Sequence, residues 1–283
     1  MISALNRLAD GTIEITITIP KGRVAVSYQK TLQALAKEVQ IKGFRRGKAP
    51  LVLAEKEIQK TKIYEEVLKT LIPEIYLESV KEHNLKPIIN PRVTIIALEE
   101  NKDWQIKATT CELPAINLGN YQEAVRKVLS VDKIWVPGKD KTTPPKDENQ
   151  RLEKIFQTLL EAVKVQIPEI LIQDEVDRML SRLIDQTAKL GLTVEQYLAS
   201  SGKTKEQLRV EYRREAEKSL KLEFILVAIA DQEKIEIPES EVAKMIAAVP
   251  DEKSRQALTN PAQQAYIRQL LRKRQVIDNL SKL

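Results

Sequence analysis

Lys42 to Lys48 read Lys-Gly-Phe-Arg-Arg-Gly-Lys: four cations, two glycines, one ring and no acid, with Pro50 closing the stretch. Arg45 and Arg46 carry forked donors that match phosphate oxygens, and Lys42 and Lys48 add compact point charges. A charge run is usually a solvated turn. Phe44 argues otherwise, because leaving such a ring in water forgoes about 1.5–3 kcal/mol of burial. Gly43 and Gly47 bracket the ring and permit positive φ in a tight, projecting turn. Pro50, with its fixed φ, suits the start of a helix. The product is a helix–loop–helix tip offering one ring and several cations. Its chemical match is an anionic surface with an apolar crevice, such as RNA with exposed bases or an RNA–protein junction.

Little else points to chemistry. The chain has one histidine and one cysteine. A His/Cys metal site and an internal disulfide are both excluded by count. His83 stands in Val-Lys-Glu-His-Asn-Leu-Lys-Pro, where a helix is expected to end, and reads as a surface residue. Arg-Arg-Gly-Lys-Ala-Pro lacks the spacing of a GxxxxGK[ST] phosphate loop, so neither ATP use nor any cofactor is expected. The opening residues contain no signal-peptide pattern. No apolar run approaches the about 20 residues needed to span a membrane, and the longest, 224–230, is far too short. A reducing, cytoplasmic setting follows as the expectation.

The elements that must hold the tip are legible in the patterning. With 283 residues, the chain suits two domains. Hydrophobic residues make up 42% but aromatics only 4%, so the core must be aliphatic. The net charge of +6 is compatible with an anionic partner without requiring one. Residues 12–20 alternate strictly, with Ile13, Ile15, Ile17 and Ile19 on one face, and predict a half-buried strand. Residues 22–39 shift to helical spacing through Val24, Tyr28, Leu32, Leu35, Ala36 and Val39. A second helical stretch runs from Pro50 to Asn84, with a break expected near Thr61 and a kink or split at Pro73. Residues 92–100 and 104–113 predict a hairpin around Asn-Lys-Asp. The fold class is therefore α+β: an N-terminal α/β domain over 1–118 with the projecting tip, and an all-α C-terminal domain over 148–283. A linker is expected over 119–147, because 136–150 is rich in Pro, Lys and Asp.

Helical spacing marks 148–163, 168–191, 193–202, 204–233, 238–249 and 261–283. Gly191 and Gly202 sit at C-cap positions, and Pro168, Pro238 and Pro261 at first-turn positions. Val-Gln-Ile-Pro-Glu at 165–169 is echoed by Ile-Glu-Ile-Pro-Glu at 235–239, and a helix follows each. This predicts two helical-hairpin arms entered alike.

Gly-Phe-Arg-Arg-Gly-Lys-Ala-Pro, residues 43–50, resembles the ribosome-docking signature of bacterial trigger factors, Gly-Phe-Arg-x-Gly-Lys-x-Pro, without a gap. Leu-Pro-Ala-Ile-Asn-Leu-Gly-Asn-Tyr at 113–121 resembles that family's exit from its docking domain. Residues 165–180 resemble the start of its first arm. The resemblance implies docking on the large ribosomal subunit, at a tunnel-exit protein and ribosomal RNA, through Lys42, Gly43, Phe44, Arg45, Arg46, Gly47, Lys48 and Pro50. It also implies nascent or unfolded polypeptides as clients, and leaves a homodimer off the ribosome open. The usual member carries a prolyl isomerase domain of the FK506-binding type. Residues 119–150, with Trp135 as the one candidate pocket aromatic, are too few for it.

The expected function is an ATP-independent chaperone rather than an enzyme. An RNA-binding ribosome assembly or maturation factor, or a prolyl isomerase with a reduced pocket, are the alternatives. For the client surface, Met179, Leu180, Leu183, Ile184, Tyr197, Leu198, Met245, Ile246 and Val249 are candidates, because two hairpin arms cannot bury both faces. Each alone is more often core. Tyr266, Ile267, Leu270, Val276, Ile277 and Leu280 form a stripe expected to buttress the arms.

Overall fold

The computed structural model describes residues 2–40, Phe44, 50–131 and 148–283. The chain forms two compact units, Met1–Leu113 with Pro168–Leu171, and Pro114–Ile167 with Ile172–Leu283.

The first unit contains β1 (Ile2–Arg7), β2 (Thr12–Ile19), α1 (Lys21–Glu38), α2 (Leu51–Glu57), α3 (Lys60–Glu82), β3 (Arg92–Ala97) and β4 (Trp104–Cys111). The sheet is antiparallel throughout, in the order β1-β2-β4-β3. Strict alternation in β2 sends Ile13, Ile15, Ile17 and Ile19 into the core, each at most 1% exposed. There they join Trp104, Ile106 and Ala108 of β4, Val24 and Leu32 of α1, and Ile63, Val67, Leu71 and Ile75 of α3. The opposite face of the sheet stays polar, with Lys107 and Glu14 paired at 2.9 Å.

The patterning missed β1, an exposed edge strand of mixed composition whose ladder runs from Ile2 opposite Thr18 to Arg7 opposite Ile13. Its turn into β2 is held by Asp10, which accepts from the Thr12 amide at 3.0 Å and hydroxyl at 2.8 Å. Gly11 follows at φ +88°, a conformation that favours glycine. The other Asp10 oxygen contact reaches forward to the amide of Glu169 at 2.9 Å.

The break expected near Thr61 is present, at Ile58 and Gln59, where Ile58 turns extended (φ −82°, ψ 125°). One expectation for α3 is corrected. Pro73 does not split α3, which runs through it. A proline inside a helix costs about 3 kcal/mol, but the buried stripe of Ile63, Val67, Leu71 and Ile75 repays more than that through packing. The predicted hairpin is present, with Asn101 left-handed in its turn and a register shift between Ile95 and Ala97.

The second unit is helical: α4 (Tyr121–Val131), α5 (Glu148–Ala162), α6 (Glu169–Lys189, its first residues through Leu171 falling with the first unit), α7 (Val194–Ser201), α8 (Lys205–Gln232), α9 (Glu239–Ala247), α10 (Glu252–Leu258) and α11 (Pro261–Ser281). Part of the expected linker over 119–147 is thus a helix. Tyr121, Val125 and Leu129 of α4 form a buried i, i+4, i+8 stripe. The Tyr121 hydroxyl donates to Glu233 at 2.8 Å. Residues 132–147, which include Trp135, lie outside the described residues.

Helices α5, α8 and α11 pack together as a body around Ile155, Leu159, Ile225, Ile229, Val276 and Leu280. The first arm is closed by Leu183 of α6, Leu198 of α7 and Leu208 of α8. The second sets Val242 and Ile246 of α9 against Ile267 of α11. Gly191 and Gly202 are left-handed at φ +70° and +66°, as their C-cap positions predict. Pro261 is the first residue of α11, whereas Pro238 is the N-cap of α9 and Pro168 precedes α6. Helix α10 was missed because it buries none of its residues and so leaves no apolar stripe.

Candidate docking tip and client surface

The two helices that flank Phe44 share one core. Leu32 and Ala36 of α1 and Ala54 of α2 are buried in one core, and the Tyr28 hydroxyl donates to Glu55 at 3.0 Å across the two helices. Helix α1 ends at Val39, whose backbone turns extended, and Pro50 caps α2 at φ −58°. Pro50 itself is exposed. Between these ends Phe44 stands 39% exposed. Lys42, Gly43, Arg45, Arg46, Gly47 and Lys48 lie outside the described residues.

Pattern reading missed the first turn of α2. Leu51, Val52 and Leu53 are all exposed, Val52 to 65%, while the core takes Ala54 and Ile58 from the same segment. The signal was available: three consecutive apolar residues cannot all face one side of a helix.

The client candidates divide. Leu183 at 6%, Ile246 at 8% and Leu198 are core residues of the two arms, which corrects their placement on an open surface. Leu180 and Tyr197 pack against the first-arm cluster. Met179 and Val249 are half-buried. Ile184 at 52% and Met245 at 39% are exposed. Leu190 and Leu192, in the turn between α6 and α7, are also exposed and were not anticipated. The expected buttress on α11 divides in the same way: Ile267, Val276 and Leu280 are buried, but Tyr266 and Leu270 face water.

His83 caps the end of α3 as anticipated, but it is half-buried, with Nε2 2.8 Å from the Ser3 hydroxyl. Cys111 is a buried free thiol. Among the described residues no cluster of His, Cys, Asp or Glu could hold a metal ion, and no helix is long and apolar enough to cross a membrane.

An antiparallel sheet packed against two long helices, the exposed Phe44 between α1 and α2, and a helical unit with two arms define the class: an α+β protein with a separate helical unit. A family model described as bacterial trigger factor protein matches residues 1–135, and one for that protein's C-terminus matches 145–282. The chain belongs to the bacterial trigger factor family.

Curated trigger factors align with it to different extents. The one from Pelotomaculum thermopropionicum is 32% identical over 117 residues, 41% of this chain and 27% of that protein. The one from Carboxydothermus hydrogenoformans is 35% identical over 114 residues, 40% of this chain and 27% of that protein. In these two cases the match spans about a quarter of the relative's length. The one from Staphylococcus epidermidis is 21% identical, with 81% of this chain and 85% of the relative covered. A solved structure of the trigger factor chaperone, described for promiscuous substrate recognition in folding and assembly, superposes with TM-score 0.68. It covers 100% of this chain and 99% of its own at 12% identity, a likeness of fold.

The two matched stretches leave only residues 136–144 between them. The S. epidermidis alignment runs over 367 residues, more than the chain's own 283, so that relative has residues with no counterpart here. An isomerase domain of about a hundred residues has no room between the two stretches.

Proposed function

We propose that this protein is a ribosome-associated, ATP-independent chaperone of the cytoplasm without prolyl isomerase activity. Residues 1–118 dock on the large subunit beside the tunnel exit, and 148–283 hold nascent or unfolded chains. The observation that carries the reading is Phe44, an exposed ring followed along the chain by three further exposed apolar residues, Leu51, Val52 and Leu53. A ring kept in water is explained by a partner that covers it. Arg45, Arg46, Lys42 and Lys48 surround it in sequence and supply phosphate contacts to ribosomal RNA. Gly43, Gly47 and Pro50 shape the turn. Leu51, Val52 and Leu53 extend the apolar part toward a ribosomal protein.

Client contacts fall to Ile184, Met245, Met179 and Val249, with Leu190 and Leu192 at the turn of the first arm. Each contributes about 1 kcal/mol, so holding needs several at once and release is fast, as a chaperone without an ATP cycle requires. Off the ribosome, a homodimer would cover the same apolar residues.

The test is cosedimentation with ribosomes. Phe44→Ala combined with Arg45→Ala and Arg46→Ala should abolish binding and leave the far-ultraviolet circular dichroism unchanged. Wild-type binding should weaken steeply with salt. Undiminished sedimentation of the triple variant would remove the docking assignment.

A further inference from the structure

Three rings run in series through the first unit. Trp104 meets Tyr64 edge-on at 5.6 Å, and Tyr64 meets Tyr28 at 5.5 Å with the planes tilted by 50°. Trp104 is buried, but Tyr28 and Tyr64 each open on one side into a cleft of about 550 Å³. Two carboxylates, Glu55 and Glu100, share that cleft, and Val24 and Ala25 of α1 supply apolar wall.

The charges around it are unequal. Glu100 is already paired with Lys60 at 2.9 Å, and the rim ammonium of Lys102 with Glu99 at 2.5 Å. Lys21, the other lining cation, stands at the exposed start of α1. Glu55 is different. Half-buried, it has among the described residues the neutral Tyr28 hydroxyl as its partner and no ion pair. Burial and the neighbouring Glu55 push the Tyr28 phenol well above its ordinary value, so the hydroxyl stays a donor and holds the carboxylate at the ring corner.

We propose that this cleft binds an organic cation, and that its occupant is the guanidinium of an arginine side chain on an extended polypeptide. Two tilted tyrosine rings beside a carboxylate with no ion pair among the described residues attract a cation through both the ring quadrupoles and direct charge. A guanidinium fits better than an ammonium: it is planar, weakly hydrated, stacks on one ring and presents a fork to Glu55. The cleft is larger than a guanidinium, which leaves room for the arginine stem along Val24 and Ala25 and for flanking backbone. This site belongs to the first unit, shares no residue with the candidate client surface and does not depend on ribosome docking.

The experiment titrates the full-length protein, without ribosomes, with N-acetyl-arginine amide, following chemical shifts of the tyrosine rings. One such contact should give a Kd in the millimolar range. N-acetyl-citrulline amide, the neutral isostere, should bind at least about tenfold more weakly, given the worth of a desolvated charge at the rings. A short Gly/Ser peptide with one central arginine should bind more tightly than the amide, and a free diamine no more tightly. Glu55→Gln should weaken the arginine peptide about fivefold or more, by loss of the charge-assisted contact. Equal binding of the citrulline and arginine amides overturns the cation site, and needs no variant to be read. An arginine peptide that binds a correctly folded Glu55→Gln protein as well as wild type also overturns it. A diamine as tight as the peptide overturns the polypeptide as occupant.

Discussion

Ile246 packs with Val242, Ile237 and Ile267, while Met245, one residue earlier, lies at the surface of the same helix. Their chemistry is nearly the same, and only the neighbours they meet differ. Ile246→Ala should therefore cost about 2–4 kcal/mol of stability, by lost burial and the cavity left behind. Met245→Ser should stay within about 0.5 kcal/mol while weakening the suppression of client aggregation. Urea unfolding of both variants alongside an aggregation assay separates the two effects. Sequence spacing marked both residues as apolar stripe but could not say which was covered, because that depends on where α11 lies. The same reason put Leu183 among the client candidates and Tyr266 in the buttress.

A second residue-scale expectation concerns acid. The Arg23 guanidinium grips Glu78 with both nitrogens, at 2.6 and 2.7 Å, tying α1 to α3. That hydrogen bonding holds the Glu78 carboxyl below its ordinary value of 4.5, with the Arg23 charge adding to it. A lowered folded-state pKa stabilises the fold above the unfolded value, and the contribution is lost as pH falls through the folded one. Glu78 is 45% exposed, so solvent screens the pair and the effect should not exceed about 1 kcal/mol. Glu78→Gln should lower the melting temperature at pH 7. The gap from wild type should narrow once the pH drops below 4.5 and then close. A gap independent of pH would mean that the pair contributes nothing through its charge.

At the scale of elements, legibility followed the strength of the local signal. Strand β2 and helices α5 to α9 and α11 announced themselves by period, with Gly191 and Gly202 marking two helix ends. Thr204 adds a cap that the spacing did not use. Its hydroxyl accepts from the Gln207 amide at 3.2 Å, and the Gln207 side chain accepts from the Thr204 amide at 3.0 Å. Thr193 and Gln196 repeat the arrangement at the start of α7. Thr204→Ala should cost about 1 kcal/mol, seen as a lower urea midpoint with an unchanged slope, and Thr204→Ser should restore most of it. Elements with weaker signals were lost: β1 lies at the sheet edge, and α10 buries nothing. Helix α4 was hidden by its proximity to a Pro- and Lys-rich stretch, although Tyr121, Val125 and Leu129 carried the right spacing. For the tip, the residue types were readable in full. The exposure of Leu51 to Leu53 was legible only in part: three consecutive apolar residues cannot all be covered, but which of them meet water depends on how α2 packs on α1.

At the scale of the whole molecule, each unit has its own core, and α11 is committed to one of them. Val276 and Leu280 of α11 pack in the body with α5 and α8, and Ile267 closes the second arm. Polar ties run the same way. Arg272 bonds Asp231 at 2.6 Å and the Ile235 carbonyl at 2.9 Å, and Lys273 pairs with Glu223 at 2.9 Å. Arg151 of α5 donates to the Ser281 carbonyl at 2.6 Å. Removing residues 261–283 strips three large aliphatic side chains from these cores, at about 2–5 kcal/mol each. Their sum is comparable to the 5–15 kcal/mol that holds a typical domain folded. The truncated protein should lose more helical circular dichroism than α11 alone accounts for, and it should no longer suppress client aggregation. The first unit keeps β2, β4, α1 and α3 around its own aliphatic core. Cosedimentation with ribosomes should therefore survive the truncation. If holding activity survives as well, the arms are not the client surface. If docking is lost along with it, the tip is not sufficient for docking.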